Sequence, residues 1–157
     1  TNSEQSNMNK LIIACDPDVD GKGFALYKDG QLENLLAMPI ILFYEFCKKI
    51  NADGNSSLTE LHIEDLCANK SSAFSHCRVD PPAVRYKKSE SVGRCKQAQL
   101  EVEKIAEHFD IKIVRYRVSK KWKDVAGRKE LERLTGWTGR SNPDTRSAAW
   151  FGYLGSR

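Results

Sequence analysis

The chain has 157 residues, 40% hydrophobic and 29% charged, with a formal net charge of +4 that is unevenly spread: 5 Lys and Arg stand against 11 Asp and Glu up to Asp65, and 20 against 10 beyond it. That length suits one domain with a sizeable core, and no apolar run is long enough for a helix to cross a bilayer. Five cysteines without a C-x-x-C pair exclude a disulfide framework, a zinc knuckle and thioredoxin-type chemistry.

Thr1 to Asn7 is polar and lacks the apolar core of a secretory signal. Residues 1–7 read as a tag or N-terminal remnant and Met8 as the natural start, so 8–157 is expected to be a single domain in the cytoplasm. Residues 10–16 read as a strand, apolar from Leu11 until it ends in Asp16. Residues 22–28 form a second strand, Asp29-Gly30 a hairpin turn, and residues 31–37 a third strand. Pro39 opens a helix, in which Ile40, Phe43, Tyr44, Cys47 and Ile50 recur at helical spacing. A fourth strand, 59–64, ends in Glu64. Residues 67–90 have no clear period and contain Pro81-Pro82, so they read as a long loop. A helix is expected at about 91–109, with Val92, Cys95, Ala98, Val102, Ile105, Ala106 and Phe109 on its apolar face. A fifth strand covers 111–116, and a basic stretch from Ser119 to Asp124 leads to a short helix near 127–135. The last helix starts at Asn142, a good N-cap, with Pro143 at its first position. Three meandering strands followed by alternating helices and strands imply an α/β fold: a mixed five-stranded sheet with helices on both faces.

Three carboxylates stand out in this order. Asp16 and Glu64 end apolar strands, and Asp144 opens the last helix. Such positions can converge on one point. A carboxylate cluster binds Mg²⁺ or Mn²⁺, and two such ions about 4 Å apart activate water and stabilise the leaving oxygen in phosphodiester cleavage. Each acid also has a plainer reading: a turn former at Asp16, an edge charge at Glu64 and a helix-dipole partner at Asp144. Asp65 alternates to the other sheet face and reads as structural. Asp16-x-Asp18-x-Asp20-Gly21 matches the start of an EF-hand loop, but its twelfth position is Tyr27, which has no carboxylate. Asp18 and Asp20 remain candidates for outlying acids. His62, His76 and His108 are not expected to be catalytic, although His62 shares a sheet face with Glu64.

Taken together, these segments resemble the RNase H-like superfamily, and more narrowly the RuvC-type Holliday-junction resolvases in a divergent, phage-like form. Ile13-Ala14-Cys15-Asp16-Pro17 followed by Gly23-Phe24-Ala25 resembles the family's first motif, and Ile63-Glu64-Asp65 its second. Gly93 to Ala98 is similar to its Gly-rich helix start, Val118-Ser119-Lys120-Lys121 to its basic segment and Asp144 to Ala149 to its closing acidic helix. The chain departs from the pattern in three places. Ser147 stands where the family has a second acid, Asp18 follows Asp16-Pro17 where it has Gly, and Cys67 stands where it has an aromatic wedge, the nearest aromatic being Phe74.

The resemblance implies a divalent-metal-dependent endonuclease that resolves four-way or otherwise branched DNA. Asp16, Glu64 and Asp144 would ligate two Mg²⁺ or Mn²⁺ ions, with no small-molecule cofactor. Lys121 would offset transition-state charge. Lys70, Phe74, Arg78, Arg85, Lys87, Lys88, Lys120, Lys123 and Arg146 would contact DNA, while Trp122 suits the core. Paired cuts need two active sites, hence a homodimer, with the apolar face of the 91–109 helix as one interface candidate. Two other readings stay open: an RNase H or general branched-DNA nuclease of the same fold, and a structure-specific DNA-binding protein whose catalytic site has lapsed.

Overall fold

Five strands form in chain order: β1 (Leu11–Asp16), β2 (Lys22–Lys28), β3 (Gln31–Met38), β4 (Thr59–Glu64) and β5 (Lys112–Tyr116). They come from a computed structural model that describes residues 9–18, 22–68 and 81–157. The sheet order is β3-β2-β1-β4-β5. β1 to β3 form an antiparallel meander, while β4 runs parallel to β1 and β5 parallel to β4. β1 is central and covered on both faces, which accounts for its unbroken apolar run. The β2–β3 hairpin turns at Asp29 (φ 51°) and Gly30 (φ 80°), the paired positive angles that an Asp-Gly turn tolerates.

Among the described residues, four α-helices pack on the sheet: α1 (Ile40–Ala52), α2 (Pro82–His108), α3 (Val125–Thr135) and α4 (Pro143–Gly155). On one face Ile13, Cys15, Phe24, Leu61 and Ile63 pack under Phe43 and Cys47 of α1 and Val102 and Ala106 of α2. On the other, Ile12, Ala14, Ala25 and Tyr27 meet Leu131 of α3, Ala148 and Ala149 of α4, and Trp122. The period-2 alternation of β1 thus feeds two cores. It also fixes the site, because the even-numbered Asp16 and Glu64 fall on the α4 face at the ends of neighbouring parallel strands, one step beyond the Cys15–Ile63 pair.

Two expectations change. The loop read across 67–90 is helical from Pro82 onward, with Pro81 as N-cap and Pro82 in the first turn, where a missing N–H costs nothing. Every described residue from Pro81 to Ser91 is exposed, so no apolar stripe marks those turns in the sequence. The apolar face of the 91–109 helix is divided: Val102 and Ala106 are fully buried against the sheet, whereas Val92 and Cys95 are only half-buried. Lys70, Phe74, Arg78 and Asp20 lie outside the described residues.

Candidate active site

Asp16 and Glu64 end adjacent strands, and each is under 5% exposed. Asp144 reaches the same point from α4. Asn142 caps that helix: its side chain accepts from Thr145 N at 2.8 Å, while Thr145 Oγ1 accepts from Asn142 N at 2.9 Å. The capping box sets where the first turn begins and so where Asp144 points. Gly23, paired with Asp16 across β1 and β2, leaves room for that turn. A Cβ on Gly23 would lie 2.5 Å from the Asp144 carbonyl carbon and oxygen and 2.7 Å from Thr145 N. The strand-two glycine is therefore a close-approach position between sheet and helix.

These three acids line a cleft of about 350 Å³ together with Asp18, Lys123 and the α2 residues Ser91, Val92 and Cys95. Asp18 is thus a fourth acid in the cleft, and it shares a hydrogen bond with Asp144. Ser147, at the position expected to carry that acid, is 1% exposed and sits beside Glu64. Neither Ser147 Oγ nor Glu64 Oε2 finds a hydrogen bond of good geometry, although both are buried. Cys95, expected in the core, is half-buried in the cleft wall with Sγ 3.9 Å from Asp18 Oδ1.

The electrostatics follow from this crowding. Burial, then the charge of Asp16, pushes Glu64 up to about 7 against the pull of Lys123. Burial and the neighbouring Asp16 and Asp18 push Asp144 to about 6. Lys123 Nζ lies 2.9 Å from Asp16 Oδ2 and 4.0 Å from Asp144 Oδ1. Burial disfavours its charge, but the carboxylates outweigh that and raise its pKa.

Lys123, expected at the DNA backbone, lines the cleft, and Lys121, expected in the cleft, does not. Lys121 is exposed and lines a different cavity with Lys120. The reason is Trp122, whose φ of 63° reverses the chain and sends Lys123 into the acids. Arg146, expected on phosphate, is 8% exposed and holds this turn. Its Nε donates to Trp122 O at 2.7 Å, and its Nη2 to Lys123 O at 3.0 Å. Arg85, Lys87 and Lys88 are exposed on the first turns of α2. Arg85 and Lys88 share a helix face with Val92 and Cys95, so a basic face leads into the cleft.

Sequence reading missed Gln99. It is 1% exposed, accepts from Leu66 N (2.7 Å) and Cys67 N (3.0 Å), and donates to Asp65 Oδ1 (2.9 Å) and Glu103 Oε1 (3.0 Å). This clamp fixes the chain immediately after Glu64, and Asp65 is structural in it. Only its helical spacing to Glu103 was visible beforehand. His62 lies on the Glu64 face but away from the cleft, with Nδ1 2.7 Å from Tyr116 Oη and Nε2 3.1 Å from Glu60 Oε1.

Among the described residues no group of three or more His, Cys, Asp or Glu side chains is arranged to hold a metal ion, and Lys123 supplies the positive charge at Asp16 and Asp144. The donor chemistry nevertheless fits a hard divalent cation. Every acid in the cleft offers oxygen, Glu64 Oε2 is buried without a hydrogen bond of good geometry, and burial and the neighbouring carboxylates raise the carboxyls of Glu64 and Asp144. Among the described residues no helix is long and apolar enough to cross a membrane.

No family model matches the chain, and no curated protein matches it. Among solved structures, Thermus thermophilus RuvC in complex with a Holliday junction substrate is similar with a TM-score of 0.56, at 8% identity over 92% of this chain and 90% of that one. A second Thermus thermophilus RuvC structure gives a TM-score of 0.48, at 10% identity over 93% and 97%. The first likeness shows the fold: this chain has the RuvC-like, RNase H-like α/β architecture, with the expected mixed five-stranded sheet.

Proposed function

We propose that this protein is a divalent-metal-dependent endonuclease acting on branched DNA, four-way junctions foremost. One observation carries the reading. Asp16, Glu64 and Asp144, brought from two strand ends and a helix start, line one cleft in which a buried carboxylate oxygen of Glu64 finds no hydrogen bond of good geometry. The fold shared with a RuvC that was solved on a Holliday junction supports the substrate class.

In this reading Asp16, Glu64 and Asp144 would hold Mg²⁺ or Mn²⁺, with Asp18 as an additional acid beside Asp144. The metal, when bound, supplies Lewis-acid activation of water and of the scissile phosphate. The chain's own groups do the rest. Gly23 and the Asn142 cap set the position of Asp144. The Gln99 clamp sets the end of β4 that carries Glu64. Lys123, on a turn locked by Arg146, offers an ammonium to charge developing on the phosphate. Arg85, Lys87 and Lys88 would track the DNA backbone toward the cleft. Paired symmetric cuts on a junction need two such sites, so the working species is a homodimer.

The test incubates the protein with a labelled four-way junction, a matched duplex and an RNA–DNA hybrid, each with Mg²⁺, Mn²⁺ or EDTA, beside the Asp16→Asn variant. Paired nicks on the junction, abolished by EDTA and lowered roughly 10²–10³-fold in Asp16→Asn, are expected. Cutting of hybrid or duplex instead reassigns the substrate. Tight junction binding without any cleavage identifies a binding protein.

A further inference from the structure

A second cavity, of about 630 Å³, opens on the other side of the turn that delivers Lys123. It shares no lining residue with the acid cleft. The chain alternates between the two: Val118 and Lys123 line the cleft, while Ser119 to Trp122 and Asp124 line the second cavity. We propose that this second cavity takes one unstacked nucleobase of a bound DNA strand, with Lys120 and Lys121 on the adjoining phosphates. The proposal rests on the nuclease reading only for its ligand class, DNA.

The wall is aromatic. Trp122 is buried, and its ring meets Trp150 edge-on at 5.1 Å between centroids. Trp150 itself is half-buried and lines the cavity. The mouth carries Lys120 and Lys121, both exposed. Two acids also line the cavity, and both are engaged. Asp124 Oδ1 accepts from Gly127 N at 2.7 Å as the cap of α3, and Glu130 pairs with Arg133 at 2.8 Å. An indole wall with a cationic mouth matches a nucleotide, a flat π-faced body with an anionic edge.

The turn between the cavities is built, and local propensity does not explain it. Trp122 takes a left-handed φ of 63°, which a bulky residue adopts only when its surroundings impose it. Arg146, itself buried, imposes it through bonds to the carbonyls of Trp122 and Lys123. Gly127 lets α3 close on the same turn, since a Cβ there would lie 2.3 Å from Trp122 Cα. One reversed residue therefore sends Lys123 to one cavity and Lys120, Lys121 and Trp122 to the other. A strand whose scissile phosphate sits at the acids then has a neighbouring nucleotide beside the indoles.

The experiment reads binding alone. Fluorescence anisotropy in EDTA measures the affinity of a labelled four-way junction, intact and with a single abasic site scanned along each strand. The parent protein is compared with Trp150→Ala, Trp150→Phe and the Lys120→Ala/Lys121→Ala pair. Trp150→Ala is expected to weaken binding between about fivefold and a hundredfold, with Trp150→Phe recovering most of it. One abasic position should weaken the parent similarly and add nothing to Trp150→Ala. The lysine pair should lower the slope of log affinity against log salt by about 2. Intact affinity in Trp150→Ala, or no abasic position coupled to it, overturns the proposal even if the protein cuts junctions. Coupling without any cleavage sustains the cavity and defeats the nuclease reading. A change in self-association instead of DNA affinity, read by sedimentation, makes the cavity a contact between copies and overturns the proposal.

Discussion

Lys123 Nζ stands 2.9 Å from Asp16 Oδ2, a carboxylate 4% exposed at the end of the central strand. An ammonium there offsets charge that a divalent ion would otherwise neutralise, so the two should compete. Lys123→Met removes the cation and leaves Asp16 buried beside Glu64. Because the lysine side chain is 32% exposed, the metal-free variant should lose only about 1–2 kcal/mol, less than a fully buried pair. It should gain more from Mg²⁺ than the parent does. Thermal melts with EDTA and across a Mg²⁺ series check this, and an identical Mg²⁺ response in both proteins would remove the competition argument.

Gly23→Ala tests the approach of α4 to the sheet. The new methyl meets backbone atoms of Asp144 and Thr145, which no side-chain rotation can relieve. The first turn of α4 must shift, at a typical overpacking cost of about 1–3 kcal/mol. Asp144 moves with it, and a displacement of about 1 Å at a reacting site can cost roughly a hundredfold in rate. Cleavage should fall at least tenfold, by order of magnitude, while junction affinity stays near that of the parent. Equal losses of both would indicate general unfolding, which the melting curve would reveal.

Gln99→Met keeps the approximate shape and removes all four hydrogen bonds of the clamp. The N–H groups of Leu66 and Cys67 lose their side-chain acceptor in a half-buried segment, and Asp65 and Glu103 lose a donor. Stability should fall by about 2–4 kcal/mol, read from the denaturant midpoint at unchanged slope. Gln99→Glu should be no better, since it keeps the acceptor but sets a third carboxylate between Asp65 and Glu103.

What could be read from the residues alone follows from where burial writes a pattern. β1 is apolar up to a terminal acid and β4 ends in Leu61-His62-Ile63-Glu64, so Asp16 and Glu64 stand out at strand ends, and the Asn142-Pro143 start exposes Asp144. The first turns of α2 bury nothing, so Pro82 to Glu90 carries no period and its two prolines resemble a loop. That Lys123 rather than Lys121 lines the cleft depends on one backbone angle, at Trp122, that a distant arginine enforces. A bulky residue in the left-handed region has no local signature. Asp18 enters the cleft from a different element, and only the folded chain brings it near Asp144.

Arg85 lies on the α2 face that leads to the cleft and is exposed. If that face tracks the DNA backbone, Arg85→Ala should weaken junction, duplex and single-strand binding alike and lower the salt slope by about 1. Its melting temperature should not change. A loss confined to the junction would place the arginine at the branch point.

The raised carboxyls give the metal-free protein a pH-dependent stability of definite sign. Glu64 is shifted from 4.5 to about 7, so between those values the folded chain binds a proton that the unfolded chain has released. Stability from this group is complete below about pH 4.5 and is lost as pH rises through about 7. For so deeply buried a group the loss amounts to about 2–3 kcal/mol. Asp144, raised to about 6, acts in the same direction but is a third exposed and adds less. In EDTA the melting temperature should therefore fall between pH 5 and pH 8, and Glu64→Gln should remove most of that slope. Mg²⁺ binds the ionised carboxylates, so its stabilising effect should grow across the same range, and the cleavage rate should rise with it. Melting curves of the parent and Glu64→Gln across the pH range, with and without Mg²⁺, decide it. A slope that survives Glu64→Gln unchanged would assign the linkage to another group and detach Glu64 from the metal argument.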